Sequence, residues 1–543
     1  MADSSKTRQA AAGTVLLTLA AAQFLMTLDS SVMNVSIATV AKDVGTTVTG
    51  IQTAITLYTL VMAAFMITGG RLGGILGRKR ALSIGLVVYG CGSLITALAP
   101  NLAVLIIGWS VLEGLGAALI MPAVVALVAT NFGKAERPRA YGLVASAGAI
   151  AVAAGPLIGG LCTTYASWRL VFVGEVVAVG VILILTRRIA DTPAVPGARL
   201  DPVGTLLSAL GLGLAVFGVL RAGSWGLVAP KPGAPHWLGL SPSIWLLLAG
   251  GLVLVGFIEW ERHQTDRGRP ALLDPSILRI RQLDGGLIAF FFQYLAQAGL
   301  FFAVPLFLSV VLGLSAIATG VRLLPLSATL LLAAVGVPRL WPRASPRRVV
   351  RIGFLLLFAG MVVMVAGLDA GAGPEVVTWP MLLAGLGIGA LASQLGSVTV
   401  SSVADEQTGE VGGIQNTVTN LGASIGTAVA GAILISVLTA SFLTGIQGNP
   451  NVPHDLSSKA QVELSSGVPF ISDADLHTAL TTAGVTGPTA EAVVSENQTA
   501  RLTALRTSIS VLALLTLVSL FFTRRLPTRQ PSAEGDEAED SED

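Results

Sequence analysis

The chain has 543 residues, 53% hydrophobic and only 12% charged, with a formal net charge of +2. A water-soluble domain carries roughly 25% charged residues, so the composition excludes an ordinary cytosolic protein and points to a chain solvated mostly by lipid. Cys91 and Cys162 lie in or beside apolar runs, and the four histidines fall between such runs without ligand spacing; no disulfide framework, metal or cofactor is expected.

In chain order, a short tail (1–12) precedes the first apolar run, which continues past the length of a signal-peptide core and reads as a retained span. About 20 apolar residues cross the hydrocarbon core. Runs of that kind lie near 13–37, 50–70, 81–99, 102–128, 140–162, 169–187, 203–221, 243–260, 286–311, 318–337, 351–368, 378–400, 413–440 and 503–523, about fourteen spans in all. Residues 441–502 form a long loop rich in Ser, Thr, Gly and Pro with short helical patches such as 475–483, read as a partly ordered cover. Asn497-Gln498-Thr499 within it matches a glycosylation sequon. The last segment, 524–543, is an acidic tail to which no function is assigned.

Basic residues cluster in alternate loops. Arg78, Lys79 and Arg80 follow the second span, Arg137 and Arg139 the fourth, Arg187 and Arg188 the sixth, and Arg524 and Arg525 the last. The bias of Lys and Arg toward the cytoplasmic side puts both termini in the cytoplasm, in agreement with an even number of spans. Arg far outnumbers Lys, and Ala and Gly are abundant, a usage that suggests a GC-rich bacterium.

Acids at membrane depth cost roughly 2.5–3.5 kcal/mol on insertion scales, so each is a functional candidate. Asp29 lies inside the first span, Glu113 midway along the fourth and Glu175 in the sixth. A carboxyl group in apolar surroundings favours its neutral form, which makes proton uptake and release available. A structural, hydrogen-bonded acid is the plainer alternative for each. Helical spacing puts Ser110, Glu113 and Ala117 on one face. In the fifth span, Ala147, Ala151, Gly155 and Gly159 form a smooth stripe for close helix approach, and Pro156 invites a kink. Gly148, Gly155, Pro156, Gly159 and Gly160 are read as a hinge and helix contact. Further small stripes are Gly385/Gly389/Ser393/Ser397 and Gly422/Gly426/Ala430. Gly70, Arg71, Gly77, Arg78 and Lys79 read as a cytoplasmic turn after the second span rather than a phosphate loop. Asn34, Ser110, Gln293, Tyr294, Gln297, Gln394, Asn416 and Asn420 are candidates to line a substrate path, though helix-to-helix hydrogen bonding is the commoner use of such residues. No nucleotide-binding loop, HExxH or GxSxG occurs, so an enzyme is not expected.

These motifs together resemble the major facilitator superfamily, and within it the fourteen-helix drug:proton antiporters. Gly148–Gly160, with Gly155-Pro156 and Gly159-Gly160, resembles the fifth-helix antiporter signature. Leu28-Asp29-Ser30-Ser31-Val32-Met33-Asn34-Val35 resembles the first-helix motif, whose acid is implicated in proton coupling. Gly70–Arg80 is similar to the family's 2–3 loop, and Ser167-Trp168-Arg169 to the start of its sixth helix. The chain departs from the pattern at five positions. Gly74 and Ile75 stand where the loop usually has an acid and a base, Ser110 and Glu113 where the fourth helix has an Arg and a Gln, and Glu175 where an Asn is common.

The resemblance implies an all-α integral membrane protein with the major facilitator fold: a bundle over 13–190, an inserted helix pair over 201–260, a cytoplasmic loop over 261–285 and a second bundle over 286–523. It implies a proton-driven exporter of small amphipathic or antibiotic-like compounds in the bacterial cytoplasmic membrane, acting as a monomer. Its partners would be a small molecule, protons and membrane lipid, without nucleic acid. With the family's Arg absent, either Glu113 or Glu175 carries protons, or these acids bind a cationic substrate. A lipid or lipid-linked exporter shares the architecture; a non-transporting sensor is a remote reading.

Overall fold

A backbone in hydrocarbon must satisfy its own hydrogen bonds, so long apolar runs fold as helices. The computed structural model describes residues 2–529 except 47, 134–135, 191–198, 232, 370, 405–406 and 465–467. Among the described residues, 14 helices are long and apolar enough to cross a membrane. The N-terminal six are α1 (Ala2–Asp43), α2 (Val48–Leu76), α3 (Arg78–Ala97), α4 (Leu102–Asn131), α5 (Arg137–Tyr165) and α6 (Arg169–Thr186). An inserted pair follows, α7 (Pro202–Trp225) and α8 (Pro242–Asp266). The C-terminal bundle comprises α9 (Arg281–Val311), α10 (Ala316–Leu340), α11 (Pro346–Gly367), α12 (Thr378–Val400), α13 (Thr408–Gly448) and, after two short helices α14 (His454–Glu463) and α15 (Asp473–Thr482), α16 (Pro488–Phe522).

Local sequence sets the helix ends. Asn101 accepts a hydrogen bond from the Val104 amide at the start of α4, and Ser315 accepts one from the Ala318 amide at the start of α10. Proline occupies the first turn of α7, α8, α11 and α16, where its missing N–H costs nothing. Between α2 and α3 the chain reverses through Gly77 at φ 92°, a conformation that a side chain disfavours.

Small residues decide which helices meet. Gly85 and Gly116 let the backbones of α3 and α4 touch. In the second bundle, Gly385 and Gly389 of α12 lie against the Leu326 and Leu330 carbonyls of α10, and Gly422 and Gly426 of α13 against the Phe291 and Leu295 carbonyls of α9. The inserted pair packs on itself through Gly211 and Gly250 and leans on α2. Its other face leaves Leu206, Leu248, Leu252 and Val255 exposed, as a lipid-facing surface requires. At its end Glu261 is fully buried and accepts hydrogen bonds from the Leu272 and Leu273 amides (2.6 and 3.1 Å), which fixes the start of the link to the C-terminal bundle.

The last two spans outrun their sequence-based bounds. α13 and α16 continue beyond 413–440 and 503–523 as projecting rods, and α14 and α15 pack over them. Leu438, Phe442, Ile446, Val452, Ala492 and Val493 extend the core of the membrane-spanning helices into this cover. Ser- and Thr-rich turns hide that apolar face from a hydropathy scan. Arg501 is fully buried, donates to the Ile471 carbonyl at 2.7 Å and pairs with Asp473. Asn497, of the sequon, is likewise buried, which leaves no room for a glycan. Arg501→Ala leaves the Ile471 carbonyl without its donor and Asp473 with Gln498 only, among the described residues, and is expected to loosen the cover by about 1–3 kcal/mol; limited proteolysis within 464–488 would rise several-fold while the membrane core stays resistant.

Candidate functional site

Asp29, Glu113 and Glu175 come from three different helices and converge. One carboxylate oxygen from each lies within 4.8 Å of the others, and the residues are 1%, 0% and 2% exposed. α4 makes this possible by winding as a π-helix over Ile106–Glu113, a wider turn that is frequent at functional sites. Within that turn the Trp109 indole N–H reaches both Asp29 oxygens, at 2.9 and 3.0 Å. The indole stacks on Tyr58 of α2, with centroids 5.3 Å apart and planes 5° from parallel. From α3, Thr96 donates to Glu113 Oε1 (3.2 Å), while Ser93 and Tyr89 donate to Glu175 Oε2 (3.1 and 3.3 Å). Glu113 Oε2 and Glu175 Oε1 are buried without a partner among the described residues. The site is thus an enclosed group of three acids with two oxygens still unpaired.

Glycine makes the space. A Cβ on Gly92 would stand 2.7 Å from both Glu113 Cγ and the Gly108 carbonyl, so α3 carries no side chain where the acid folds in. Ser110, placed on the face of Glu113 by helical spacing, does not hydrogen-bond to it. Ser110 is buried and donates instead to the Ala54 carbonyl of α2 at 2.8 Å. Thr96 takes the place beside the acid. Trp109, Tyr58, Tyr89, Ser93, Thr96 and Gly92 were not among the sequence candidates. Trp109, four residues before Glu113, was the one available signal.

The α5 stripe faces α1 beside this centre. Gly155 sits where a Cβ would collide with the Ser31 side chain, and a Cβ on Gly159 would stand 3.0 Å from Val32 Cγ1. Ser31, two residues beyond Asp29, donates to the Val152 carbonyl at 3.1 Å. Gly148 faces Gln23 and Thr27 of α1, and Gly160 is buried. The stripe therefore packs one helix on another inside the N-terminal bundle; α5 approaches the second bundle elsewhere, at Gly142 against the Ala334 carbonyl of α10. The side chains of Asn34 and Pro156 lie outside the described residues.

The other path candidates separate. Gln293 and Gln297, one turn apart on α9, each have a buried Oε1 without a partner among the described residues. Tyr294 turns away into an aromatic and aliphatic group with Phe290, Phe292 and Leu520. Asn416 and Asn420 donate to the Gly412 and Asn416 carbonyls of their own helix, and Gln394 lies buried beside Ser393.

The two bundles meet at the end where α2 passes into α3; Gly70 and Arg71, read from the sequence as part of a turn, lie in the last turns of α2, and Gly77 alone separates the two helices. A Cβ on Gly70 would stand 2.6 Å from the Gly409 carbonyl, and one on Gly413 would stand 3.0 Å from the Met66 carbonyl. Beside them Arg71 pairs with Glu410 at 2.7 Å. Gly74, where the 2–3 loop pattern has an acid, faces open space; Glu410 of the opposite bundle supplies the charge instead. Arg78 is buried and donates to the Ala126 carbonyl, and Lys79 donates to the Arg187 and Ile189 carbonyls. At the opposite end of the bundle, Trp168 and Arg169 both bind Asp43. The Arg71–Glu410 pair is partly exposed, so Arg71→Glu is expected to raise thiol labelling of a Gly74→Cys reporter about two- to fivefold, and adding Glu410→Arg to restore it.

The sequence profile described as Major Facilitator Superfamily matches residues 19–427. The chain belongs to the major facilitator superfamily. Relatives of this facilitator include the "Probable actinorhodin transporter" of Streptomyces coelicolor, 29% identical over 84% of the chain and 77% of that protein. The "Puromycin resistance protein pur8" of Streptomyces alboniger is 31% identical over 79% of the chain and 82% of that protein. Among solved structures, the human organic anion transporter MFSD10 superposes with a TM-score of 0.57 at 13% identity, covering 95% of the chain and 99% of that structure. The proton:xylose symporter XylE superposes with a TM-score of 0.53 at 14% identity, covering 97% and 99%. Those two likenesses show the shared fold. The family is one of transporters, and this facilitator is a multi-pass membrane protein of that kind.

Proposed function

We propose that this facilitator is a proton-coupled exporter of small amphipathic or antibiotic-like compounds across the bacterial cytoplasmic membrane, with both termini inside. The observation that carries the coupling is the meeting of Asp29, Glu113 and Glu175 in one buried group. Two unit charges about 5 Å apart repel by roughly 3 kcal/mol even at an effective dielectric of 20, so three full charges there are unfavourable and shared protons relieve them. The unpaired Glu113 Oε2 and Glu175 Oε1 are the natural places for those protons. A hard metal cation takes six to eight oxygen ligands, whereas a proton needs only the oxygens this group leaves unpaired. The export direction and the class of cargo are supported by the relatives named for antibiotic transport and resistance.

Transport then follows from unequal affinities. A ligand shifts a two-state protein only by binding one state better than the other. Each proton moving down a 100 mV potential supplies about 2.3 kcal/mol. Protons would enter the acids from outside, the closed junction around Arg71 and Glu410 would open, and release inside would reset the cycle. The unpaired oxygens of Gln293 and Gln297 offer acceptors to hydroxyl or amine donors of the cargo.

Glu113→Gln separates the two uses of the acids. In proteoliposomes with an imposed pH gradient, loss of efflux for neutral and cationic compounds alike is expected. Loss confined to cationic compounds would show charge recognition instead, and unchanged efflux for both would remove Glu113 from the site.

A further inference from the structure

The loop before α11 and the end of α16 bring together a basic corner that the transport cycle does not use. Arg347 donates to the Leu526 carbonyl (2.9 and 2.7 Å) and to the Arg524 carbonyl (2.9 Å), and Arg351 donates to Thr523 Oγ1 at 2.9 Å. These bonds clamp the start of α11 to the segment that follows α16. Around the clamp Arg339, Arg343, Arg348 and Arg524 are exposed, and no carboxylate pairs with them among the described residues. The sequence holds no Asp or Glu from 337 to 368 or from 498 to 533. Asp284 of α9 pairs with Arg525. Leu340 and Trp341, 74% and 63% exposed, sit between Arg339 and Arg343.

Orientation in the membrane is the ordinary use of such arginines, and the N-terminal bundle has its own exposed set in Arg80, Arg139, Arg187 and Arg188, beside others that are held. There Arg78 and Arg137 are buried on the Ala126 and Phe132 carbonyls, and Lys79 reaches the Arg187 and Ile189 carbonyls. In the C-terminal corner Arg347 is held by carbonyls, Arg351 by Thr523 and Arg525 by Asp284; what sets this corner apart is the exposed Leu340 and Trp341 among its remaining arginines. Planar guanidinium forks match phosphate oxygens bidentately. Trp and Leu beside them suit the border between headgroups and acyl chains. The patch is also continuous with the lipid-facing side of the same helices, where Leu332, Ile352 and Leu355 are exposed.

We propose that this corner is a binding site for the phosphate headgroup of an anionic phospholipid in the leaflet on that side, with Arg343, Arg348 and Arg524 as the headgroup contacts and Trp341 at the glycerol level. The lipid is favoured over a free phosphate because the charged groups and the apolar pair are adjacent and open to the bilayer.

The test uses the purified full chain in detergent, titrated with phosphatidylglycerol, phosphatidylcholine or inorganic phosphate and read by native mass spectrometry. Retained phosphatidylglycerol is expected, with phosphatidylcholine not retained and phosphate unable to displace it. Arg343→Gln, Arg348→Gln and Arg524→Gln together, which leave the clamp intact, are expected to weaken phosphatidylglycerol retention on the order of a hundred-fold, from about fivefold per arginine near an anionic surface. A control removing the same charge at Arg187, Arg188 and Arg267 should lose less than tenfold. Equal losses in the two triple variants would overturn the site in favour of general electrostatics. Displacement by phosphate would make it a free-anion site. Retention that appears only after truncation at Gln530 would give the corner to the acidic tail. A fall in quenching by brominated phosphatidylglycerol in Trp341→Phe, with the other tryptophans retained, is the supporting spectroscopic result.

Discussion

Asp29→Asn is expected to abolish proton-driven efflux while leaving substrate binding measurable. The amide is the same size, so α1 keeps its packing on Gly155 and Gly159. It also keeps an oxygen for the Trp109 indole N–H, which reaches both oxygens of the acid. What it loses is the capacity to take up and release a proton, and with it one of the three charges that oppose each other. Efflux in inverted vesicles energised by a pH gradient would fall to the level of empty vesicles. Equilibrium binding of the same compound to purified protein would change by less than about threefold, since the unpaired acceptors of Gln293 and Gln297 lie on the other bundle. Unchanged efflux would take Asp29 out of the mechanism. Loss of binding together with efflux would make it a substrate ligand.

The second large effect is steric. A leucine at Gly155 begins with a Cβ in collision with the Ser31 side chain. Overpacking a close contact typically costs about 1–3 kcal/mol and moves backbone. Here the backbone that must move is α1, whose Ser31 lies two residues from Asp29 and is anchored to the Val152 carbonyl. Gly155→Leu should therefore lose most transport with only a modest fall in thermal stability, because Leu28, Val32, Ala151 and Val171 still pack around the site. Gly174→Leu, at a position with open space, is the matched control and should transport normally. Full activity in Gly155→Leu would show that this contact tolerates displacement.

Hydropathy made the fourteen spans and the inserted pair legible, because lipid imposes length and apolarity on every span. It missed the extensions of α13 and α16 beyond their membrane-length runs, whose apolar faces are diluted by Ser, Thr and Glu in the cover. Three acids stood out one by one, since charge at membrane depth needs a reason. Their convergence did not, because it depends on a π-helical turn and on the absence of a side chain at Gly92. The partner of Arg71 was equally hidden. Glu410 lies 339 residues away, on the far side of the junction between bundles.

The wide turn over Ile106–Glu113 also bears on how such a centre arises in a lineage. An α-helix turns about 100° per residue, so inserting or losing one residue within a helix rotates everything beyond it by that amount. A π-turn absorbs one extra residue locally and leaves the rest of the span in phase. Chains of this family that differ by one residue in this stretch would keep the same hydropathy profile and the same count of spans. They would differ in whether an acid at the position of Glu113 meets the first helix or faces lipid, so a comparison by length in this single turn is a compact marker for sorting relatives with a three-acid centre from those without one.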